Sequence, residues 1–278
     1  MAYALRKTQE IAAPRPFLKW AGGKTQLLGE ILKRFPQNFG RYHEPFIGGG
    51  AVFFALRPRR AVLSDINPEL VETYTMIRDN VDEVIAALEK HQANEAHFYA
   101  VRAQKREALS EINAAARTIF LNRTCFNGLY RVNRKGQFNV PFGRYANPTL
   151  CDHSNLHAVS HALQGVDLKV QGVLEMSRSV RRGDLVYFDP PYDPVSPTAS
   201  FTSYTHQGFG REEQAKLADL FRRLDARGVH VVLSNSDTPF IRELYQDFRV
   251  DEVYARRAIN SRADRRGKVT EVLVSNTK

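Results

Sequence analysis

The chain has 278 residues, with 40 Lys and Arg against 30 Asp and Glu, a net charge of +10 and a pI of about 9.7. A hydrophobic share of 43% excludes a disordered or fibrous chain. No run of ~18 apolar residues marks a membrane span, and no apolar stretch follows the basic residues of 1–16, so no membrane partner and a cytoplasmic, nucleoid-associated location are expected. The two cysteines, Cys125 and Cys151, exclude a disulfide framework and a four-cysteine zinc site. The eight histidines show no metal-ligand spacing, and no metal is expected. A basic excess carried by arginine points to a polyanionic partner.

Residues 1–16 read as a loose tail. The segment Phe17-Leu18-Lys19-Trp20-Ala21-Gly22-Gly23-Lys24-Thr25 ends like a P-loop but has Leu18 where that loop requires glycine, which disfavours nucleotide hydrolysis. An aromatic ring and a lysine flanking glycines suit the carboxylate end of an amino-acid-like ligand instead. Residues 24–35 have helical spacing. Tyr42 to Ile47 reads as a strand, Gly48-Gly49-Gly50 as a turn, Ala51 to Leu56 as a helix and Arg60 to Ser64 as a second strand ending at Asp65. Strand, glycine turn, helix, strand and acid make the start of a doubly wound α/β sheet. Glycines there let a ligand approach the backbone, and an acid after the second strand suits ribose hydroxyls. The register is not that of a dinucleotide fingerprint, which would need glycine at Phe53.

The alternation then stops. Residues 69–124 are helical in pattern, and 126–145 turn to Gly, Asn, Arg and aromatics, with Asn133-Arg134-Lys135-Gly136 as a hairpin turn. Strands and helices return at 168–170, 185–188, 211–226, 229–233, 238–246, 250–258 and 269–275. The expected organisation is one sheet domain made of 1–67 and 152–278, interrupted by an insertion at 68–151. Within 123–145, Arg123, Arg131, Arg134, Lys135 and Arg144 interleave with aromatics and asparagines, and no acid occurs. Such a stretch suits phosphates, base edges and a vacated base stack. A second basic run, Arg256, Arg257, Arg262, Arg265, Arg266 and Lys268, suits phosphates alone.

The most informative segment is Asp189-Pro190-Pro191-Tyr192, at the end of the apolar strand Leu185–Phe188. Two prolines remove backbone donors and leave rigid carbonyl acceptors. A carboxylate, such a backbone and a flat ring suit a planar base bearing an amino group, as in methyl transfer to adenine N6 or cytosine N4.

Taken together and in this order, Phe17 to Lys24, Glu44-Pro45-Phe46-Ile47-Gly48-Gly49-Gly50, Asp65-Ile66-Asn67, Asn127 to Asn133, Gly136 to Tyr145, Asp189 to Tyr192, Thr198 to Tyr204 and Leu233-Ser234-Asn235-Ser236-Asp237-Thr238 resemble the Dam-type DNA adenine-N6 methyltransferases. The resemblance implies a Rossmann-like methyltransferase sheet with helices on both faces, and an inserted, mainly helical target-recognition domain carrying a β-hairpin. It implies S-adenosylmethionine as methyl donor and double-stranded DNA as partner, with a flipped adenine as target, within GATC. No obligate protein partner is expected. Trp20, Lys24, Phe46, Gly48, Asp65 and Asp189 are then expected at the cofactor, and Lys19, Asn127, Leu129, Arg131, Pro141 and Tyr145 as sequence readers. Asn133, Arg134 and Arg144 join them on the DNA. Phe126 stands where relatives often have tyrosine, at the position expected to fill the gap left by the flipped base. Asp189, Pro190, Pro191 and Tyr192 are the expected catalytic residues. Cytosine N4, RNA, or a catalytically inactive DNA-binding role on the same fold remain alternatives.

Overall fold

The computed structural model describes residues 12–194, 209–256 and 268–277. Residues Thr198 to Tyr204 and most of the basic run from Arg256 to Lys268 lie outside them. Among the described residues, seven strands form one sheet: β1 Tyr42–Glu44, β2 Ala61–Asp65, β3 Asp167–Val170, β4 Leu185–Phe188, β5 His230–Ser236, β6 Arg249–Arg256 and β7 Lys268–Ser275. Their spatial order is β3-β2-β1-β4-β5-β7-β6. The first five are parallel, and β7 runs antiparallel to both β5 and β6. The order reverses between β1 and β4, so the crevice for a ligand opens beyond the carboxyl ends of those two strands. Both glycine-loop and Asp-Pro-Pro-Tyr motifs follow these strands directly.

Alternation along the strands splits the core between two faces. Leu185 and Tyr187 of β4, with Val232 of β5, join one cluster, while Val186, Phe188, Val231 and Leu233 join the other. The second face is covered by α9 (Arg211–Ala226) and α10 (Pro239–Leu244), and Met176 of the short α8 (Val173–Met176) packs there. The first face carries α1 (Leu28–Leu32), α2 (Ala51–Leu56), α3 (Pro68–Asp79) and α7 (His153–Leu163). β1 ends at Glu44, short of the expected Ile47, because Pro45 brings no N–H to a ladder.

Between β2 and β3 lie α3, α4 (Val81–Leu88), α5 (Glu95–Ala103) and α6 (Glu111–Thr124). The helices begin where sequence provides a cap: the side chains of Asn67, Asn94, Ser110, Asp152 and Thr238 each accept a backbone N–H of the following first turn. Pro68 and Pro239 occupy first-turn positions that need no donor. α6 is buried from Ala114 to Asn122 and packs on α3, α4 and α5. Its Ile119 and Phe120 share a continuous core with Tyr74 of α3 and Tyr187 of β4. After α6 the chain forms a loose hairpin, with antiparallel bridges Cys125–Phe142 and Val132–Phe138. Full strands do not form there, since Asn127 and Gly128 take left-handed conformations and Pro141 lacks a donor. Among the described residues, no helix is long and apolar enough to cross a membrane, and no group of three or more His, Cys, Asp or Glu could hold a metal ion.

Tyr74 ties the first βα turn to α3. Its hydroxyl donates to the Gly48 carbonyl at 3.1 Å, and its ring stacks on Phe54. Gly50 has φ +70° and a Cβ there would stand 2.7 Å from the Tyr74 hydroxyl, whereas Gly136 has φ +73° and open space around it. Gly50→Ala should therefore cost strain plus displacement of Tyr74, about 2–4 kcal/mol, and Gly136→Ala strain alone, about 1–2 kcal/mol. Denaturant unfolding of the two variants checks this; equal losses would show that the Tyr74 contact is inconsequential.

Candidate active site

Asp189 follows β4 at the switch point, where burial pushes its carboxyl pKa up and Lys24 and Ser234 pull it back. One oxygen, Oδ1, receives Lys24 Nζ at 3.0 Å and the Ser234 hydroxyl at 2.9 Å. Among the described residues no donor reaches Oδ2. Lys24 Nζ also donates to the Gly22 carbonyl at 2.6 Å and lies 4.7 Å from the Tyr192 ring centroid. The Tyr192 hydroxyl donates to Glu271 Oε2 of β7 at 2.7 Å, which fixes the ring's outer end. Pro190 is buried and Pro191 exposed; the Pro191 carbonyl accepts from Gln214 Nε2 at 2.8 Å. Lys24, Asp189 and Tyr192 are thus brought together as a single cluster.

The glycine loop closes the other side. A Cβ on Gly48, which has φ +46°, would stand 2.7 Å from Trp20 Cδ1, so the loop needs glycine to admit that indole. Asp65 ends β2 and accepts the Asn67 N–H at 3.0 Å. Burial raises its pKa to about 6, against backbone hydrogen bonds from Asn67, Gly48 and Ile66 that lower it. Phe46 is half-buried and meets Phe209 edge to face at 5.8 Å. Sequence reasoning missed the rim beside Asp65. Ile66, Val170 and Leu174 are exposed apolar side chains there, and Gln171, whose N–H bonds the Asp65 carbonyl at 3.1 Å, has a buried side-chain nitrogen with no partner.

Lys19 and Trp20 connect this loop to the hairpin. Asn122 of α6 grips Lys19 at both backbone groups, accepting its N–H and donating to its carbonyl at 2.7 Å each. The Lys19 ammonium lies 4.4 Å from the Tyr145 ring centroid, and Trp20 stacks on Tyr130 at 5.2 Å. The Tyr130 hydroxyl donates to Glu69 of α3 at 2.7 Å. Phe126 is 50% exposed, and its N–H donates to the carbonyl of exposed Pro141 at 2.8 Å. Asn127 is half-buried with φ 55°. Leu129 is half-buried and packs against the core. Arg131 is exposed but held within the hairpin: its Nε donates to Asn139 Oδ1 at 2.8 Å. Asn133 organises the tip, its side-chain oxygen accepting the N–H groups of Lys135 and Gln137. Arg134 is exposed beyond it. Arg144, with φ 53°, sits 3.7 Å from Glu95.

The hairpin's basic and aromatic residues, the glycine loop and the acid of Asp-Pro-Pro-Tyr are therefore parts of one connected arrangement. Residues 20–259 match the family of D12 class N6 adenine-specific DNA methyltransferases. The chain belongs to this family. A type II methyltransferase of Lactococcus lactis subsp. cremoris, M1.LlaDCHI, is 45% identical over 270 residues, covering 94% of this chain and 95% of that protein. Another, M.MjaIII of Methanocaldococcus jannaschii, is 40% identical over 285 residues, covering 94% and 99%. The DNA adenine methylase of Escherichia coli K12 is 36% identical over 263 residues, covering 93% and 94%. The protein is a DNA methyltransferase acting on adenine N6, which decides against cytosine N4 and RNA.

Glu44 is a further group of the site whose state sequence did not reveal. It is buried at the end of β1 and accepts from the Tyr42 hydroxyl at 2.8 Å. Burial, with Asp189 nearby, raises its pKa to about 8, against the Tyr42 and Phe53 hydrogen bonds and Lys24. The unfolded chain ionises this carboxyl near pH 4.5, while the folded protein keeps it protonated until about 8. Folding is therefore favoured less with each rising unit in that window, by up to about 1.4 kcal/mol per unit. Asp65 acts in the same sense up to about pH 6. Below pH 6.5 the half-buried His91, whose pKa burial lowers to about 4, and His43, lowered in the same way, act in the opposite sense. Thermal unfolding between pH 6.5 and 8 should show stability falling, and Glu44→Gln should flatten that fall. A variant that keeps the full wild-type slope would place the titration elsewhere.

Proposed function

We propose that this enzyme uses S-adenosylmethionine as its methyl donor and acts on an adenine flipped out of duplex DNA, within GATC. The observation that carries the reading is the Asp189 carboxylate at the sheet's switch point. One of its oxygens is held by Lys24 and Ser234, the other is left to accept, and a fixed tyrosine ring stands beside it. When bound, S-adenosylmethionine supplies an electrophilic methyl group on a positively charged sulfur. The residues present fit that donor. The glycine loop admits close backbone approach, and Asp65 offers acceptors to ribose hydroxyls. Ile66, Val170 and Leu174 offer apolar surface to an adenine ring, and the unpartnered Gln171 amide offers a donor to one of its nitrogens. Trp20, Lys24 and Phe46 complete the cofactor's surroundings.

Adenine N6 is a weak nucleophile because its lone pair is delocalised into the ring. Acceptors aimed at both of its protons favour a pyramidal nitrogen and the positive charge that develops on attack. Asp189 Oδ2 takes one proton's hydrogen bond and the Pro190 carbonyl the other. Pro191 holds that backbone rigid, and Tyr192 stacks on the extruded base. Catalysis is then positioning and electrostatics.

The helical insertion, 68–151, serves as the target-recognition domain, between the two sheet segments 1–67 and 152–278. Phe126, exposed at the hairpin base, fills the vacated stack. Lys19, Asn127, Leu129, Arg131, Pro141 and Tyr145 read the site, and Asn133, Arg134 and Arg144 meet the backbone. A DNA substrate and the net charge of +10 suit a cytoplasmic, nucleoid-associated enzyme. Incubation with radiolabelled S-adenosylmethionine and plasmid DNA, followed by nucleoside analysis and mapping of the label, tests donor, base and site together. Label on a sequence other than GATC would overturn the assignment of specificity.

Asp189→Ala should fold and bind DNA but lose about 10²–10³ in single-turnover rate, as when one preorganised acceptor is removed. Near-wild-type turnover in the folded variant would remove Asp189 from the chemistry. At the hairpin, Asn139 holds one edge of the Arg131 guanidinium and leaves the rest for a guanine edge. Arg131→Ala should relax selectivity at one guanine by about ten- to a hundred-fold, while Arg134→Ala should weaken all sites alike. The measurement is kcat/KM on GATC and on duplexes substituted at each position; a uniform loss for Arg131→Ala would make it a phosphate contact.

A further inference from the structure

The segment Ser234-Asn235-Ser236-Asp237-Thr238 at the end of β5 stood out in the sequence without a task. In the fold it lies along the Asp-Pro-Pro-Tyr segment, and its side chains bond that segment in turn. Ser234 donates to Asp189 Oδ1 at 2.9 Å. Asn235 Oδ1 accepts the Asp193 N–H at 3.1 Å, and its amide donates to Gln214 Oε1 at 3.0 Å. Gln214 in turn donates to the Pro191 carbonyl at 2.8 Å. The Ser236 hydroxyl donates to the Asp193 carbonyl at 2.6 Å, and Thr238 donates to the Asp193 carboxylate at 2.9 Å. Ser234, Asn235 and Gln214 are fully buried. Buried amides and hydroxyls are costly unless satisfied, so each such bond restricts the segment to one geometry.

The donor sense of this network is set. Asp189 Oδ1, which faces the Lys24 ammonium, accepts from the Ser234 hydroxyl. The Tyr187 hydroxyl, 2.8 Å from Ser234 Oγ, must then donate to Ser234. Two hydroxyls in series point toward one carboxylate oxygen and leave the other for the target amine. We propose that Ser234, relayed from Tyr187, and Asn235, acting through Gln214, are positioning residues that set the orientation of the Asp189 carboxylate and of the Pro190–Pro191 backbone for methyl transfer. This rests on the reading of Asp189 as the acceptor of an N6 proton.

Other charged and titratable groups surround Asp189. Lys24 approaches from the turn Lys24–Gln26, Glu44 and Tyr42 from β1, and Tyr187 from β4. Tyr192 follows on the same loop, with Glu271 of β7 behind it. All of these remain in Ser234→Ala, which removes one donor from the carboxylate. The acid limb of the kcat profile should then move up by about one pH unit, leaving activity about ten-fold lower below that limb. Tyr187→Phe, which weakens the relay without touching Asp189, should move the limb in the same direction by less. Asn235→Ala should lower kcat about 10²-fold with KM for S-adenosylmethionine unchanged, since it misplaces the reacting geometry and not the cofactor loop.

The experiment is the pH dependence of single-turnover methylation by the full-length variants, with Asp189→Ala alongside. Thermal unfolding and calorimetric affinity for S-adenosylmethionine provide folding controls. If Ser234→Ala does not fold, the Tyr187→Phe profile answers the same question. An unmoved acid limb in the folded Ser234→Ala or Tyr187→Phe protein, with Asp189→Ala inactive, overturns the positioning role. So does an Asn235→Ala loss carried by KM rather than kcat. Activity in Asp189→Ala instead overturns the reading on which the proposal rests.

Discussion

The buried ammonium of Lys24 is the constraint around which the site is arranged. A charge that is 5% exposed must be paired and hydrogen-bonded, and Lys24 meets this with Asp189 and the Gly22 carbonyl. Asp189 and Glu44 both lie under the same sheet edge, where burial disfavours two negative charges. The single cation favours ionisation of Asp189, and Glu44 is left protonated up to about pH 8. Of two neighbouring carboxyls, the one against the ammonium is pulled back toward ionisation, while burial holds the other protonated.

The same ion pair places the segment before it. With Lys24 anchored on β4's end, Trp20 falls against Gly48 and Lys19 is gripped by Asn122 of α6. Trp20 in turn stacks on Tyr130, whose hydroxyl reaches Glu69 at the start of α3. The glycine loop, the acid of Asp-Pro-Pro-Tyr and the hairpin are thereby registered to one another through a few residues, not through a broad interface. The continuous core linking Phe17, Tyr74, Phe120 and Tyr187 supports that registration from below.

What the sequence disclosed was chiefly local. Strand, glycine turn, helix and acid from Tyr42 to Asp65 were readable because periodicity and glycine act within a few residues. The hairpin turn at 133–136 was readable for the same reason, though not that its arms would pair only at isolated bridges. The helix His153–Leu163 went unread, although Asp152 caps it and Leu156, Val159 and Leu163 recur at helical spacing. The sheet order could not be read, since β7 enters between β5 and β6 through long-range pairing. Nor could the partners of Asp189: Ser234 lies 45 positions from it, and the Glu44 environment is assembled from β1, β4 and the Lys24 turn. The motif residues were visible as types, while their ionisation and orientation arise only from packing.

The hairpin is built unevenly from base to tip. At the base, a Cβ on Gly128 would stand 2.5 Å from the Lys19 side chain, and one on Gly143 would stand 2.5 Å from the Tyr145 ring and 2.7 Å from the Cys125 carbonyl. At the tip, Gly136 has nothing within 4 Å. Mutational tolerance therefore rises along the hairpin, and substitutions can accumulate at its outer end without disturbing the packing at its base. Sequence divergence along this hairpin has a physical gradient to follow, steep where the hairpin meets Lys19 and shallow where it meets solvent.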